Sequence, residues 1–220
     1  MIISHKHKFI FFKTRKTAGS SIQVALAEQC GKDDIITGQY RLGVDDNSHT
    51  AGLNLDKFPG KNPHTPLKQV KEFLDLKTWN SYFKFAFIRN PFDIVVSRYY
   101  WEMSRINNPN ISIKNEDASP KDFREWVKSD NFEIACQQDR FGPYIAYNGE
   151  IAVNAIGHYE NLNEGLEGMR KRIGLEPIKL PKLKSGLRGN GDLKEHYDEE
   201  TEYIVKNFFK SDFEAFYKNK

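Results

Sequence analysis

The chain has 220 residues, of which 39% are hydrophobic, 13% aromatic and 29% charged. This composition excludes a disordered chain and suits one medium-sized domain with a well-solvated surface. The formal net charge of +3 is too small to predict a nucleic-acid-binding protein, although it allows a local basic pocket for an anionic ligand.

The cysteines and the hydrophobic runs limit the class of protein further. Cys30 and Cys136 are the only cysteines, and no Cys/His spacing indicates a structural zinc. The N-terminal segment Met1–Phe12 lacks an apolar run long enough for a signal peptide. No later segment approaches the roughly 20 apolar residues of a membrane span. We therefore expect a protein of the reducing cytoplasm.

A strand, a turn and a helix are predicted within Lys8–Leu26. Phe9–Phe12 is a short apolar run typical of a buried strand, and a helix is predicted from Ala18. A turn between a strand and a helix directs backbone N–H groups and the positive end of the helix dipole at one point, which suits a phosphate. We interpret it as a phosphate-binding loop. Its side-chain donors are Lys16, Thr17, Ser20 and Ser21.

This loop differs from the Walker A pattern of P-loop kinases and GTPases. That pattern places a glycine directly before the lysine, whereas Arg15 precedes Lys16 here and the glycine, Gly19, follows it. The usual nucleoside-triphosphate site is therefore disfavoured. Gly19 is expected to let the backbone approach the ligand closely.

Strands and helices follow the loop in alternation. Residues 38–64 are rich in Gly, Asn, Asp, Pro and His and are predicted to form a long loop. The next helix is predicted to have Thr65 as its N-cap and Pro66 at its first position. A second buried strand is predicted at Tyr82–Ile88, and a helix resumes at Pro91.

The C-terminal half adds one strand and further helices. A late strand is predicted at Ala155–Tyr159, an amphipathic helix at Asn161–Ile173, and a second long loop over residues 176–196. Asp198 is the predicted N-cap of a terminal helix. No repeat or linker divides the chain. We therefore predict a single α/β domain over residues 1–220, with a central, mostly parallel sheet flanked by helices and a P-loop-like strand–turn–helix at its N-terminus.

A second anion site is predicted where the second strand ends. Arg89 follows this strand directly, and Ser97 lies eight residues later in the next helix. The planar guanidinium of arginine suits a phosphate, and a hydroxyl about two helical turns away can share the same ligand. Together with the first loop, this pattern favours a ligand with phosphates at both ends.

The patterns KTAGSS after the first strand and RNPxxxxxSRYY after the second resemble the sulfotransferase family that uses 3′-phosphoadenosine 5′-phosphosulfate (PAPS). The most similar part of that family is its carbohydrate-sulfotransferase-like branch. The resemblance covers most of the chain in the order of the family. It continues through His64-Thr-Pro-Leu-Lys-Gln-Val, Tyr159-Glu-Asn-Leu, Pro181–Ser185 and Tyr197-Asp-Glu-Glu-Thr.

The resemblance implies a role for each matching residue. Lys16 would be catalytic, in contact with the bridging and leaving phosphate oxygens, and Arg89 and Ser97 would hold the 3′-phosphate. Arg15 stands where the family often has proline, and we include it among the residues expected to bind PAPS. The residues implied to cradle the 5′-phosphate are Thr17, Ala18, Gly19, Ser20 and Ser21. The residues implied to close over the nucleotide are Lys184, Ser185, Gly186 and Arg188.

A general base is required because the acceptor hydroxyl must lose its proton, and a base with a pKa near neutrality suits this task. His64 resembles the catalytic histidine that some family members place after the loop, and His49 is the alternative. His158 is expected to be a core or edge histidine. No metal is expected to be required, because Lys16 and the backbone take its place.

The predicted reaction transfers a sulfuryl group from PAPS to a hydroxyl, with a saccharide as the favoured acceptor and adenosine 3′,5′-bisphosphate as the product. Neither a nucleic-acid partner nor a membrane span is expected, and the pattern does not indicate an oligomeric state. Two alternatives stay open: a nucleotide kinase-like phosphotransferase, and a nucleotide- or glycan-binding module without turnover.

Overall fold

Two compact units make up the described part of the chain. The computed structural model describes residues 1–38, 52–60, 62–106, 123–181 and 192–217. One unit combines Met1–Ile88 with Phe141–Leu183, and the other combines Arg89–Arg140 with Lys184–Lys220. Each unit is therefore built from two separate segments of the sequence.

The described ranges contain seven strands and ten α-helices. The strands are β1 (Ile2–Ser4), β2 (Phe9–Phe12), β3 (Ile35–Ile36), β4 (Phe83–Ile88), β5 (Ala146–Tyr147), β6 (Glu150–Ile151) and β7 (Ala155–His158). The helices are α1 (Gly19–Ala27), α2 (Leu67–Phe73), α3 (Leu76–Ser81), α4 (Pro91–Ile106), α5 (Phe123–Val127), α6 (Asp130–Cys136), α7 (Gly142–Ile145), α8 (Leu162–Ile173), α9 (Glu199–Phe208) and α10 (Lys210–Phe216). None of these helices combines the length and the apolarity that crossing a membrane requires.

The first unit is built on a five-stranded sheet with the strand order β3-β1-β2-β4-β7. β2 pairs in parallel with β4, and β4 pairs in parallel with β7. β1 is antiparallel to both of its neighbours, β2 and β3. Four strands of this sheet therefore run in one direction and β1 alone is reversed, which confirms the predicted α/β class with a mostly parallel sheet.

The central strand β2 is buried on both faces, which explains its unbroken apolar sequence. Phe9 and Phe11 of β2 belong to a core that includes residues of α1 and α8. Phe12 points to the other face, where its ring centroid lies 6.4 Å from that of Trp79 in α3. The fully buried Phe9–Phe12 run thus fixes the strand that leads into the predicted phosphate-binding loop.

The second unit is helical and has an aromatic core. The ring centroid of Trp126 lies 5.6 Å from that of Tyr99 and 5.7 Å from that of Phe132, so that α4, α5 and α6 share this core. A buried ion pair joins Arg98 Nε to Asp139 Oδ2 at 2.7 Å. This pairing offsets the cost of removing both charges from water.

The predicted cap of the terminal helix is confirmed. Asp198 accepts a hydrogen bond from the Thr201 backbone N–H at 2.9 Å, and the Thr201 hydroxyl accepts one from the Asp198 N–H at 3.0 Å. This reciprocal arrangement is a capping box. The helix that follows, however, is interrupted at Phe209, so that α9 and α10 replace the single terminal helix that the pattern predicted.

Three further features differ from the expected elements. Thr65 is not the N-cap of α2: that position belongs to Pro66, and the Thr65 hydroxyl donates to the Asn62 carbonyl at 2.6 Å. β1 was not predicted, because three residues give no readable periodicity. The hairpin of β5 and β6 was also missed, although Asn148-Gly149, both with positive φ, is a typical two-residue hairpin turn.

Candidate active site

The loop between β2 and α1 has an unusual backbone. Lys16 has φ 61° and Ala18 has φ 57°, both in the left-handed region that residues with a Cβ rarely adopt. Such residues cost free energy, and they concentrate at ligand-binding turns. Alternation between left- and right-handed conformations also directs successive backbone N–H groups into one concave anion-binding surface. The loop therefore has the backbone geometry of an anion site.

The first turn of α1 adds donors to this surface. The hydrogen-bond ladder of the helix starts with the Ile22 N–H, which donates to the Ala18 carbonyl at 3.1 Å. The amides of Gly19, Ser20 and Ser21 precede that bond and lie outside the ladder. They carry the positive end of the helix dipole, which favours a negatively charged ligand.

Gly19 is required for a reason that the sequence did not indicate. A Cβ at this position would lie 2.8 Å from Lys13 Cγ and 3.3 Å from the Thr14 carbonyl oxygen. The expected reason was close approach of the backbone to the ligand. The structure shows that the missing side chain makes room for Lys13, which is only 3% exposed.

The two threonines of the loop fasten it to the sheet. The Thr17 hydroxyl lies 2.8 Å from the Thr14 hydroxyl, which in turn donates to the Phe87 carbonyl of β4. Because the Thr14 proton is used on Phe87, Thr17 is the donor of the first bond. The side chain of Thr17 is thus used within the protein, and its contribution to an anion would come from its backbone N–H.

Arg15 and Lys16 supply positive charge to the loop. Both residues are half-buried, so that Arg15 is not simply an exposed side chain. The Arg15 Nε atom is buried, and no hydrogen-bond partner meets it within the described ranges. A buried guanidinium N–H without a partner is costly, and a phosphate or sulfate oxygen would satisfy it. The loop residues therefore fit a phosphosulfate group.

His64 lies beside the same loop, in the first unit. Its Nδ1 atom lies 2.9 Å from the Lys13 backbone carbonyl oxygen. A carbonyl only accepts, so Nδ1 carries the hydrogen in the neutral ring and Nε2 keeps its lone pair. The hydrogen bond thus fixes the tautomer that can take a proton at Nε2.

The pKa of His64 is lowered from 6.5 to about 2, mainly because burial removes water from the ring and further because Lys13 and Arg15 are positively charged. A base with a pKa near neutrality was expected, whereas burial and the two neighbouring cations hold the pKa of His64 far below neutrality. The imidazole is therefore neutral throughout the physiological range. The geometry suits a general base, whereas its basicity in this state is low.

The second unit contains the other predicted anion ligands. Arg89 is 8% exposed, and its Nε donates to Asp93 Oδ2 at 2.7 Å. Asp93 is in the first turn of α4, and Ser97 is half-buried one turn later on the same helix. Asp93 and Ser97 share one helical face because they are four residues apart. The carboxylate partner of Arg89 was not predicted.

Several predicted residues lie outside the described ranges. They are His49 and the residues implied to close over the nucleotide, Lys184, Ser185, Gly186 and Arg188. His158 ends β7, the last strand in the sheet order, and its Nδ1 lies 3.8 Å from Glu160 Oε2. This position agrees with the expected edge histidine.

Lys13, Thr14 and Asp93 contact predicted site residues and were not themselves predicted. A weak signal existed for Lys13 and Thr14, since both directly follow a fully apolar strand at its carboxyl end, where ligands bind in parallel sheets. For Asp93, the only signal in the sequence was its spacing of four residues from Arg89. Within the described ranges, no group of three or more His, Cys, Asp or Glu side chains could hold a metal ion.

Two comparisons relate the chain to known proteins. A relative from Archaeoglobus fulgidus, described as an uncharacterized protein, is 33% identical over 110 residues, which cover 50% of this chain and 82% of the relative. The match to the sulfotransferase family extends over residues 1–218, from β1 through the loop, His64 and Arg89 to the end of α10. The chain therefore belongs to the sulfotransferase family.

Proposed function

We propose that the protein transfers a sulfuryl group from PAPS to a hydroxyl acceptor, with a saccharide as the favoured acceptor. The observation that carries this proposal is the loop between β2 and α1, where two left-handed residues and the first amides of α1 provide a backbone geometry that suits an anion. A histidine with an unprotonated Nε2 stands beside this loop. Membership of the sulfotransferase family supports sulfuryl transfer as the chemistry.

The donor is proposed to be bound at two anionic groups. Lys16, Arg15 and the backbone N–H groups from Thr17 to Ser21 would hold the 5′-phosphosulfate. Arg89 and Ser97 would hold the 3′-phosphate. Arginine suits such a group because its planar fork can donate two parallel hydrogen bonds, and the orphaned Arg15 Nε supports the first assignment.

The chemical roles follow from where charge changes in an in-line displacement. PAPS supplies a sulfuryl group attached to a phosphate leaving group: the acceptor oxygen forms a bond to sulfur while the bond to the bridging oxygen breaks, and that electron pair goes to the phosphate. Lys16 and the loop amides stabilise this developing charge. His64 takes the acceptor proton at Nε2, and the Lys13 carbonyl holds the resulting imidazolium through Nδ1–H.

The low pKa of His64 is compatible with this role once an anion is bound. Lys13 and Arg15 are two of the causes that lower it. A bound phosphosulfate would offset their positive potential and raise the pKa of His64 towards the range in which a base is effective. The residual burial of the ring would still oppose protonation.

The low pKa of His64 also favours a second candidate function, a nucleotide- or glycan-binding module without turnover. A histidine with a pKa of about 2 is a poor base, so a protein that only binds the nucleotide would not need to raise it. This candidate predicts bisphosphate binding with no product from any acceptor.

Calorimetric titration with adenosine 3′,5′-bisphosphate, compared with ATP and Mg²⁺, tests the binding site. We expect the bisphosphate to bind and ATP with Mg²⁺ to bind much more weakly. Lys16→Ala should weaken bisphosphate binding at least about tenfold, because a hydrogen bond to a charged group is lost. Lys68→Ala is the matched control, because Lys68 is an exposed lysine paired only at long range with Glu72.

Turnover is then measured as release of adenosine 3′,5′-bisphosphate from PAPS in the presence of a saccharide panel. Product with the unaltered protein, and none with Lys16→Ala or His64→Gln, would support the transferase. Preference for ATP with Mg²⁺ would contradict it in favour of a phosphotransferase. Bisphosphate binding without product from any hydroxyl acceptor would favour the binding module.

A further inference from the structure

Asp93, which forms an ion pair with Arg89 at the start of α4, has no role in the function proposed above. Arg89 Nε donates to Asp93 Oδ2 at 2.7 Å, and their side chains are only 10% and 17% exposed. We propose that Asp93 is a positioning residue that fixes the direction of the Arg89 guanidinium for the 3′-phosphate of the donor. This inference rests on the proposed function, because it concerns the same nucleotide.

The shape of the guanidinium explains why one hydrogen bond matters. The group is planar and carries five N–H donors in a fixed arrangement. Once Asp93 holds the Nε edge, rotation about the last side-chain bonds is restricted, and the two terminal nitrogens have a defined direction. A phosphate then meets a preorganised donor pair and does not have to order a flexible side chain.

The position of Asp93 on α4 supports this role. Asp93 is four residues after Arg89 and four residues before Ser97, so that it stands between the two predicted ligands of the 3′-phosphate along the chain. Residues four apart on a helix lie on the same face. Asp93 therefore belongs to the face that carries Ser97, and its carboxylate reaches Arg89.

Burial separates this pair from the exposed ion pairs of the same spacing, whereas Arg98 and Glu102, with side chains 6% and 24% exposed, are similarly buried. Glu202 and Lys206 are also four residues apart on a helix of the second unit, but their side chains are 48% and 56% exposed. Exposed pairs of that kind constrain their side chains little. The Arg89–Asp93 pair is largely removed from water, where a hydrogen bond between charges is stronger and more directional.

The carboxylate also has a cost, because its negative charge repels a phosphate. Orientation and repulsion predict opposite effects of removing Asp93. Asp93→Asn separates them, since the amide oxygen can still accept from Nε while the charge is lost. Asp93→Ala removes both the acceptor and the charge.

A double-mutant cycle tests the inference by calorimetric titration of the full chain with adenosine 3′,5′-bisphosphate. The variants are Asp93→Ala, Asp93→Asn, Arg89→Ala and the double variant Arg89→Ala/Asp93→Ala, with Glu202→Ala as the matched control. We expect Asp93→Ala to weaken binding about tenfold and Asp93→Asn by less than about threefold. In the Arg89→Ala background, Asp93→Ala should cause no further loss, because its effect acts through Arg89. Glu202→Ala should bind like the unaltered protein.

Two kinds of result would overturn the role of Asp93. The first is that Asp93→Ala weakens bisphosphate binding equally with and without Arg89, or that Asp93→Asn binds the bisphosphate no better than Asp93→Ala. Either result would mean that Asp93 does not act by orienting Arg89. The other is tighter binding by either Asp93 variant, which would make the carboxylate a competitor of the phosphate. Failure of the unaltered protein to bind the bisphosphate would instead overturn the proposed function.

Discussion

Lys13 has three effects at the junction of β2 and the loop. Its backbone carbonyl accepts the Nδ1–H of His64, and its aliphatic chain fills the space left by Gly19. Its ammonium is a cause of the lowered His64 pKa, second to burial. One buried residue therefore helps set the tautomer and the basicity of the proposed base.

Lys13→Met should raise the pKa of His64, because the substitution removes a positive charge and keeps a buried side chain of similar length. The backbone carbonyl remains, so the Nδ1–H tautomer should not change. The measurement is a pH titration of the imidazole nitrogen and carbon shifts by NMR. Lys68→Met, at an exposed lysine of the same unit, is the control. An unchanged His64 pKa in Lys13→Met would contradict the charge effect.

The loop and the start of α1 act as one element. Lys16 and Ala18 are held in the left-handed region, while Thr14 and Thr17 bond the loop to β4. Gly19 completes the element because any larger side chain would displace Lys13 or the Thr14 carbonyl. The backbone that we propose as the anion site therefore depends on packing behind the loop.

Gly19→Ala should destabilise the protein by about 1–3 kcal/mol, the usual cost of an added methyl group in a packed site. The added Cβ would meet Lys13 Cγ at 2.8 Å. Gly168→Ala is a matched control: Gly168 is inside α8, and a Cβ there meets nothing within 4 Å. That substitution should stabilise the helix by up to about 1 kcal/mol. Urea unfolding followed by circular dichroism measures both, and equal effects at the two glycines would refute the packing argument.

His64 makes one contribution to the pH dependence of the stability of the whole molecule. Its pKa is about 2 in the folded protein and near its ordinary value, 6.5, in the unfolded chain. Between these values the unfolded chain binds a proton that the folded protein does not, so the free energy of unfolding falls as the pH is lowered from 6.5. The buried neutral ring thus contributes stability that is fully present only above pH 6.5.

His64→Gln should flatten this dependence, because glutamine can donate to the Lys13 carbonyl without titrating. Urea unfolding at several pH values from 6.5 down to about 5.5 keeps ordinary carboxyl groups largely ionised, since the ordinary pKa of glutamate is 4.5. The slope of unfolding free energy against pH should be smaller in the variant than in the unaltered protein. Parallel slopes would contradict a strongly lowered pKa of His64.

The sequence predicted the structure correctly where a pattern has a single physical explanation. The mostly apolar, aromatic-rich runs ending at Phe12 and Ile88 predicted the parallel strands β2 and β4, because strands buried on both faces have such sequences. Asp198 predicted its helix start through a local hydrogen bond. The loop was located by its position between strand and helix.

The features of the site that were not predicted depend on contacts between residues far apart in the sequence. The hydrogen bond that the Lys13 carbonyl accepts from His64, for example, joins residues 51 positions apart. The left-handed backbone of Ala18 opposes the ordinary preference of alanine. The prediction of a single domain over residues 1–220 stays a prediction, since the described chain forms two units whose segments interleave in the sequence.

The hydrogen bonds from Thr17 to Thr14 and from Thr14 to Phe87 have a consequence for the kinetics of ligand association. They hold the loop against a strand of the sheet before any ligand arrives, so the entropy of ordering the loop is already lost during folding. A ligand that meets an ordered loop needs no conformational step before it is captured. Association should then be limited by diffusion and electrostatic steering, and differences among ligands should arise chiefly in their dissociation rates.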